Sequence, residues 1–168
     1  MAGALIVTAE LAPADFAWFD SLRRRYFPPE RNVVGAHLTM FHALPPSTEP
    51  EVRRDLARLA ARRRPMAIVA GLMNLGRGVA YRIISDDLDK NRDELAERFR
   101  GLLTPQDAGG WRPHITVQNK VSSSDAARLY AELQTNFQPH ALNISGLGLH
   151  RYRDGPWEHV ATYAFRGS

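Results

Sequence analysis

Short apolar stretches alternate with amphipathic stretches along this chain, and each apolar stretch predicts a β-strand. The apolar stretches are rich in β-branched residues and are bounded by proline, glycine or asparagine, which is typical of strands in a small sheet. Glycines at positions 76 and 78 join two of them as a tight hairpin. Strands are predicted over residues 4–8, 37–44, 66–74, 79–85, 114–121, 141–152 and 158–165.

The intervening segments predict helices, because their apolar residues recur three or four positions apart and form one face. Phe16, Phe19 and Leu22 have this spacing after Pro13, a residue favoured in the first helical turn. The predicted helices run from residue 13 to before Pro28 and over residues 50–64, 86–103 and 123–137, and residues 107–110 are predicted to form a loop.

The second half of this order repeats the first. Each half has a strand that opens with histidine, then a helix, a long strand, a glycine turn and a return strand. The long strands align over residues 69–72 and 144–147, and the return strands over residues 79–82 and 160–163. We therefore predict an α+β fold of duplicated βαβ-type lobes, whose two antiparallel-rich sheets face a central cleft about a pseudo-twofold axis. A chain of 168 residues suits one hydrophobic core, so both lobes are expected to form a single domain over residues 1–168.

Composition narrows the class of protein. Apolar residues make up 44% of the chain and charged residues 24%, as in an ordinary globular domain. Cysteine is absent, which excludes disulfides, thiolate nucleophiles, iron–sulfur clusters and cysteine-bound zinc. No apolar run approaches the ~20 residues that cross a bilayer, and the stretch up to Glu10 lacks the basic leader of a secretory signal. We therefore expect a cytoplasmic protein without a membrane partner.

The chain is basic, with a net charge of +4 at pH 7 and an isoelectric point of about 9.8. Only Lys90 and Lys120 among its 22 basic residues are lysines. A modest positive charge suits a partner that carries phosphate, although genomic composition explains an arginine bias equally well. The arginine runs at residues 23–25 and 62–64 fall at helix ends, where cations oppose the helix dipole favourably.

The two strands that open with histidine share one motif. Residues 37–40 are His-Leu-Thr-Met and residues 114–117 are His-Ile-Thr-Val. Because side chains alternate along a strand, the histidine and threonine of each motif share one face and the apolar pair faces the core. With 6 histidines and 7 threonines in 168 residues, about 0.25 His-x-Thr pairs are expected by chance. Two such pairs at equivalent places in both halves therefore indicate function.

The chemistry of these residues suits a phosphate group. Imidazole has a usual pKa near 6.5, so both of its protonation states are accessible at neutral pH. Of His37 and His114, one can deprotonate an attacking oxygen while the other protonates a leaving oxygen. Thr39 and Thr116 can donate to the non-bridging oxygens, where charge must be stabilised. This set needs no metal, cofactor or covalent intermediate, and it fits opening or closing of a phosphodiester, above all a cyclic one beside a hydroxyl.

Two His-apolar-Thr-apolar motifs, one in each half of a duplicated α+β chain, resemble the signature of the 2H phosphoesterase superfamily. Their spacing of 77 residues, and the sequence Arg-Pro-His-Ile-Thr at residues 112–116, are similar to its bacterial 2′-5′ RNA ligase-like branch, which includes RNA 2′,3′-cyclic phosphodiesterases. The resemblance covers essentially the whole chain. It implies that His37 and His114 are the acid/base pair and that Thr39 and Thr116 bind phosphate oxygens.

The resemblance also implies the partners. RNA ends or small cyclic nucleotides are the expected substrates, and hydrolysis of the cyclic ester is expected to leave a 2′-phosphate. Many members have an arginine shortly after the second motif, and Lys120 in the corresponding stretch is expected to bind phosphate in its place. The sequence leaves open whether hydrolysis or ligation is the physiological direction and which histidine is the base. It also leaves open the oligomeric state, and a monomer fits the sequence.

Further candidate residues lie near the motifs or at the last hairpin. Phe41 and Gln118 have the same strand parity as the histidines, so we expect them to line the cleft, with Phe41 stacking on a base, or else to pack. Arg151 and Tyr152 flank the last hairpin together with Trp157 and could clamp RNA, although an ordinary polar hairpin tip explains them better. Outside the repeated motif, four histidines are expected to be surface residues or histidines whose hydrogen bonds are satisfied within the protein: His42, His140, His150 and His159.

Two alternative functions are open at this point. A duplicated βαβ fold could bind RNA without turning it over, but RNA-binding sheets of that kind expose aromatic residues where this chain has histidines. His37 and His114 could instead bind a transition metal, but the sequence offers no third ligand at short spacing and no HExxH motif. The aspartates of residues 86–89 lack the spacing of a calcium loop and fit the start of a helix.

Overall fold

The computed structural model describes residues 3–167 and has the predicted alternation of strands and helices. Short 3₁₀ turns at Pro29–Arg31 and Pro46–Thr48 precede β2 and α2. The strands are β1 (Leu5–Leu11), β2 (Leu38–Leu44), β3 (Met66–Asn74), β4 (Val79–Ile84), β5 (His114–Gln118), β6 (His140–Tyr152) and β7 (Trp157–Ala164). The helices are α1 (Pro13–Tyr26), α2 (Glu49–Ala60), α3 (Asp86–Arg98), α4 (Pro105–Ala108) and α5 (Ser123–Thr135).

All seven strands join one sheet through antiparallel pairs, which confirms the predicted α+β class. Their order is β2-β1-β6-β3-β4-β5, and β7 pairs with β6 beside this path. The long strand β6 connects the two halves, because residues 140–143 pair with β3 whereas residues 144–151 pair with β1. Each histidine motif therefore lies on a strand at one end of the order, β2 next to β1 and β5 next to β4.

The predicted equivalence of the return strands is wrong. In the sheet, β4 lies between β3 and β5, whereas β7 pairs with β6 alone among the described strands. The strand that matches β4 is β1, which lies between β6 and β2 in the same way. Residues 79–82 and 160–163 are similar only locally: both lie in strands that follow a turn, but residues 79–81 are buried whereas residues 160–163 are half-buried or exposed.

Helix faces and strand faces share one hydrophobic core. Helix α1 packs against β5, α2 against β6 and β7, and both α3 and α5 against β3. Leu56 and Leu59 of α2, and Leu88 of α3, are fully buried, and burial of a leucine side chain contributes about 1.5–3 kcal/mol. Ser85 begins α3, because its hydroxyl accepts a hydrogen bond from the Leu88 amide at 3.1 Å.

One predicted loop is partly helical. Residues 105–108 form the single turn α4, since Pro105 opens it and the Thr104 hydroxyl accepts from the Asp107 amide at 3.3 Å. Conversely, α3 ends at Arg98, five residues before its predicted end, and Gly101 beyond it has a φ of 84°. None of the helices between residues 3 and 167 has the length and apolarity to cross a membrane.

Candidate active site

His37 and His114 have the same local geometry. Nδ1 of each ring lies 2.8 Å from the carbonyl oxygen two residues earlier, that of Gly35 for His37 and that of Arg112 for His114. A carbonyl only accepts, so Nδ1–H is the donor in both rings and Nε2 is left for other partners. His140 makes the same contact at 3.2 Å and lines a different cavity. The contact therefore fixes the tautomer of a histidine, but it does not by itself identify a functional site.

Both motifs line one cavity of about 360 Å³. The structure brings His37, Thr39, His114 and Thr116 together there, because β2 and β5 contact each other across the cleft. The apolar residues of the motifs point the other way and are fully buried: Leu38, Met40, Ile115 and Val117. The cavity also contains cationic and aromatic side chains, namely Arg92, Arg112, Trp111 and Trp157.

A β-bulge follows the first threonine, and it corrects the prediction for Phe41. Thr8 of β1 pairs with Thr39 of β2, but Val7, the residue before Thr8, pairs with Phe41, so Met40 is an extra residue. An extra residue reverses the faces of the side chains that follow it. Phe41 is therefore fully buried in the core, and it packs under the Arg92 guanidinium, 4.4 Å from its ring centroid.

The second motif has a bulge at the equivalent place. Ala80 of β4 pairs with Thr116, but Val79 pairs with Gln118, so Val117 is the extra residue. Gln118 is therefore buried rather than exposed to the cleft, which corrects its predicted position. Its side-chain oxygen has no hydrogen-bond partner within residues 3–167.

The same bulge brings a histidine into the cavity that the sequence assigned to the surface. His42 lies one position beyond Phe41 and so shares the face of Thr39. Its Nδ1 lies 3.1 Å from the carboxylate of Asp107, which is 1% exposed. Burial would raise the pKa of Asp107, but hydrogen bonds from the His42 side chain and from the amides of His42 and Ala43 outweigh it and lower that pKa.

Two buried arginines hold the histidine strands in place. The guanidinium of Arg23, on α1, donates to the Thr116 carbonyl at 2.9 Å. Arg92, on α3, donates to the Met40 carbonyl at 3.2 Å. Arg23 was interpreted from the sequence as a helix-end cation, yet it is 3% exposed. A weak signal was available, because Arg23 lies four positions after Phe19 and seven after Phe16, on the apolar face of its helix.

His37 has the more enclosed ring of the pair. Trp157 lies beside it, with ring centroids 4.8 Å apart. Burial of the ring is the main cause that lowers the pKa of His37 to about 4, and positive charge on Arg23 and His114 adds to the effect. The hydrogen bond to Gly35 acts in the opposite direction. His37 is therefore neutral at pH 7, with Nε2 able to accept a proton.

Three other predicted residues lie outside this cavity: Lys120, Arg151 and Tyr152. Lys120 is exposed, with a φ of 63° in the turn after β5, and does not line the cavity, so its expected phosphate contact is not formed there. Arg151 is engaged by the carboxylates of Glu49 at 2.9 Å and Glu158 at 3.4 Å. Tyr152 pairs with Trp157 at the hairpin base. Of this hairpin group, Trp157 alone lines the cavity.

A second cavity of about 450 Å³ lies on the other side of His37 and Trp157. Glu10 and His150 line it. Together with His159, they form the only group of three or more potential metal ligands found among residues 3–167. His37 and His114 are not part of such a group in the described chain.

An antiparallel α+β fold with a histidine strand on each side of one cavity defines the 2H phosphoesterase class of proteins. The sequence profile of the 2′-5′ RNA ligase superfamily matches residues 11–156, and the chain belongs to this superfamily.

Solved structures share the fold over the whole chain. TT0787 of Thermus thermophilus is 18% identical with a TM-score of 0.69, covering 98% of this chain and 99% of that one. Escherichia coli LigT complexed with 3′-AMP is 16% identical with a TM-score of 0.62 and the same coverage. A protein described as a phosphoesterase is 18% identical with a TM-score of 0.58, covering 97% and 98%. No curated protein matches this sequence closely enough to count as a relative.

Proposed function

We propose that this protein is a metal-independent phosphoesterase that acts on 2′,3′-cyclic phosphates or 2′-5′-linked RNA ends. One observation carries the proposal: two histidines hold Nδ1 on a backbone carbonyl, which leaves Nε2 of each for a shared cavity lined by Thr39 and Thr116. A pair of proton-transfer groups with hydroxyl donors beside them matches the needs of phosphodiester cleavage.

The different surroundings of the histidines support an assignment of roles for hydrolysis. His37, which is neutral at pH 7, serves as the base, and His114 serves as the acid that donates a proton in the step. A water oxygen bonds to phosphorus as its proton passes to Nε2 of His37. The P–O3′ bond breaks, and Nε2–H of His114 protonates the O3′ leaving oxygen, so that a 2′-phosphate remains. In the reverse reaction the two roles exchange.

The threonines and the arginines complete the proposed phosphate site. Hydroxyls of Thr39 and Thr116 donate to the non-bridging oxygens, where negative charge develops. Arg92 and Arg112 line the same cavity and supply positive charge for an anionic substrate. Both halves of the chain thus contribute to one site, and we propose that residues 1–168 act as a single domain.

The comparisons support a nucleotide or RNA end as substrate. LigT has been crystallised with 3′-AMP, with NADP+ and with ATP, all of which carry an adenosine and at least one phosphate. At these sequence identities the likeness establishes only the fold. For this chain, the substrate class is a proposal that rests on the chemistry of the cavity.

The test is a panel of 2′,3′-cyclic nucleotides, 3′,5′-cyclic nucleotides and 2′-5′-linked dinucleotides, incubated with the protein in excess EDTA. We expect turnover of the 2′,3′-cyclic substrates to 2′-phosphates, identified by chromatography against both isomers. His140→Ala is the matched control, because His140 has the same backbone contact in another cavity and should keep full activity. Binding without turnover would instead indicate an RNA-binding module, and turnover that stops in EDTA and returns with zinc would contradict acid–base catalysis by the histidines alone.

A further inference from the structure

A second polar cluster lies outside the histidine cavity, on three neighbouring strands. Glu10 of β1, His150 of β6 and His159 of β7 each offer one ligand atom within 4.8 Å of the other two. The side chains of His150 and Glu10 are 13% and 29% exposed. The carboxylate of Glu10 lies 3.9 Å from Nε2 of His150, and it forms no ion pair with any arginine among residues 3–167.

A glycine makes room for this Glu10 cluster. Gly148 of β6 pairs with Thr8 on one side and with Thr162 on the other. A Cβ atom at position 148 would lie 2.5 Å from the Glu10 carboxylate and 2.6 Å from the Thr8 hydroxyl. Any other residue would push these two groups away, so the glycine allows Glu10 and Thr8 to lie over the sheet between the histidines.

The hydrogen bonds fix the tautomer of His150. The Thr8 hydroxyl has one proton, and it donates this proton to the Glu10 carboxylate at 3.1 Å. Thr8 must then accept from Nε2–H of His150, which lies 3.0 Å away. A neutral imidazole with its proton on Nε2 has a lone pair on Nδ1. That lone pair faces Nδ1 of His159 at 3.5 Å.

His159 is arranged in the same way. Its Nε2 lies 2.9 Å from the hydroxyl of Thr162, which can accept Nε2–H and leave Nδ1 as a lone pair. Two facing lone pairs need a proton or a cation between them: without metal, Nδ1–H of His159 donates to Nδ1 of His150 while the Thr162 hydroxyl donates to Nε2 of His159, and a bound metal would replace that proton. Nitrogen ligands on a tetrahedral zinc ion lie about 3.4 Å apart, which matches the observed Nδ1–Nδ1 distance. The Glu10 carboxylate lies within 4.8 Å of one nitrogen of each ring, so rotation of its flexible side chain is what would bring an oxygen to the third ligand position.

We propose that Glu10, His150 and His159 form a binding site for a divalent transition metal of the zinc class. A set of two imidazole nitrogens and one carboxylate oxygen binds zinc well, whereas magnesium and calcium prefer sets made of oxygen ligands alone. Thr8 and Thr162 lie at Nε2 of His150 and of His159. Hydrogen bonds to the second ring nitrogen commonly orient imidazole ligands at metal sites. Bound metal would link β1, β6 and β7 and hold the hairpin that carries Trp157 against His37.

The test is calorimetric titration of chelator-treated protein with Zn²⁺, and absorption spectroscopy with Co²⁺ as a coloured substitute. We expect one equivalent to bind, with Mg²⁺ showing no competition. Glu10→Gln and His159→Ala should each weaken binding about tenfold or more, and both should lose the visible Co²⁺ spectrum. His140→Ala is the matched control and should bind as the parent does.

Three results would overturn the site: no binding of Zn²⁺, unchanged affinity in both variants, or binding that His37→Ala abolishes and His159→Ala does not. The last result would place the metal between the catalytic candidates. Because the readout is metal binding, failure here leaves the proposed phosphoesterase activity untouched. His159→Ala is expected to turn over 2′,3′-cyclic substrates at the parent rate in EDTA, whereas an inactive parent protein would contradict the proposed function without affecting the metal titration.

Discussion

The two His-x-Thr motifs have the same backbone and different surroundings. In both, the histidine Nδ1 lies 2.8 Å from the carbonyl two residues earlier, and a bulge follows the threonine. Trp157 packs beside the ring of His37 only. The position after the first bulge holds His42, with its Asp107 partner, and the equivalent position of the second motif holds Asn119.

The comparison separates the properties that the two His-x-Thr motifs share from those that differ between them. Strand geometry and the tautomer of the histidines depend on local backbone, so both copies retain them. The pKa of a histidine depends on burial and on charges from other elements, and these diverged: burial lowers the pKa of His37 to about 4. The proposed assignment of His37 as base and His114 as acid rests on this difference in surroundings.

The largest effect is expected from removal of either imidazole. His37→Ala and His114→Ala should each lower kcat for a 2′,3′-cyclic substrate by about 10²–10⁴-fold, because each removes one proton-transfer group. Both rings are partly solvent-accessible, so circular dichroism and thermal unfolding should show an intact fold. The double variant should be little slower than either single variant, because the two groups act in one step. Full activity in either single variant would contradict the pairing.

A smaller effect is expected when a residue beside the first motif is replaced by the residue type found at the equivalent position of the second motif. His42→Asn introduces the residue of the equivalent position, and it leaves Asp107 bonded to the amides of residues 42 and 43. We expect KM to rise about tenfold with kcat nearly unchanged, since a hydrogen bond to an anionic substrate is lost without loss of a proton-transfer group. His140→Ala serves as the control. An effect confined to kcat would instead make His42 a participant in proton transfer.

Periodicity predicted the elements well, because most of the helices and strands have an apolar face that contributes to the core. Both histidine motifs were found from spacing alone, since alternation holds from His to Thr. The prediction failed directly after Thr39 and Thr116, where one extra residue reverses the faces of Phe41 and Gln118. Nothing in the apolar pattern marks a bulge, because Met40 and Phe41 are both apolar and both buried.

The sequence also could not predict which residues far apart in the chain become hydrogen-bond partners. Arg23 reaches the Thr116 carbonyl across 93 positions of sequence, and Asp107 reaches His42 across 65. Such contacts depend on which elements become neighbours, and periodicity within one element carries no information about that. Trp157 was noticed as a hairpin aromatic, yet its position beside His37 follows from the pairing of β6 with β7.

The smallest expected effect is a change in the pH dependence of kcat/KM, and it tests whether Trp157 lowers the pKa of His37. If His37 is the base, kcat/KM should rise with pH through the pKa of His37, near 4, because only the neutral ring accepts a proton. Trp157→Ala exposes the ring, so its pKa should move toward 6.5 and the acidic limb should shift upward by about one pH unit or more. At pH 8 both proteins have neutral His37, and their rates should agree within about threefold. An acidic limb that stays in place in Trp157→Ala, with rates measured from about pH 3 to pH 8, would show that enclosure by Trp157 does not cause the low pKa of His37.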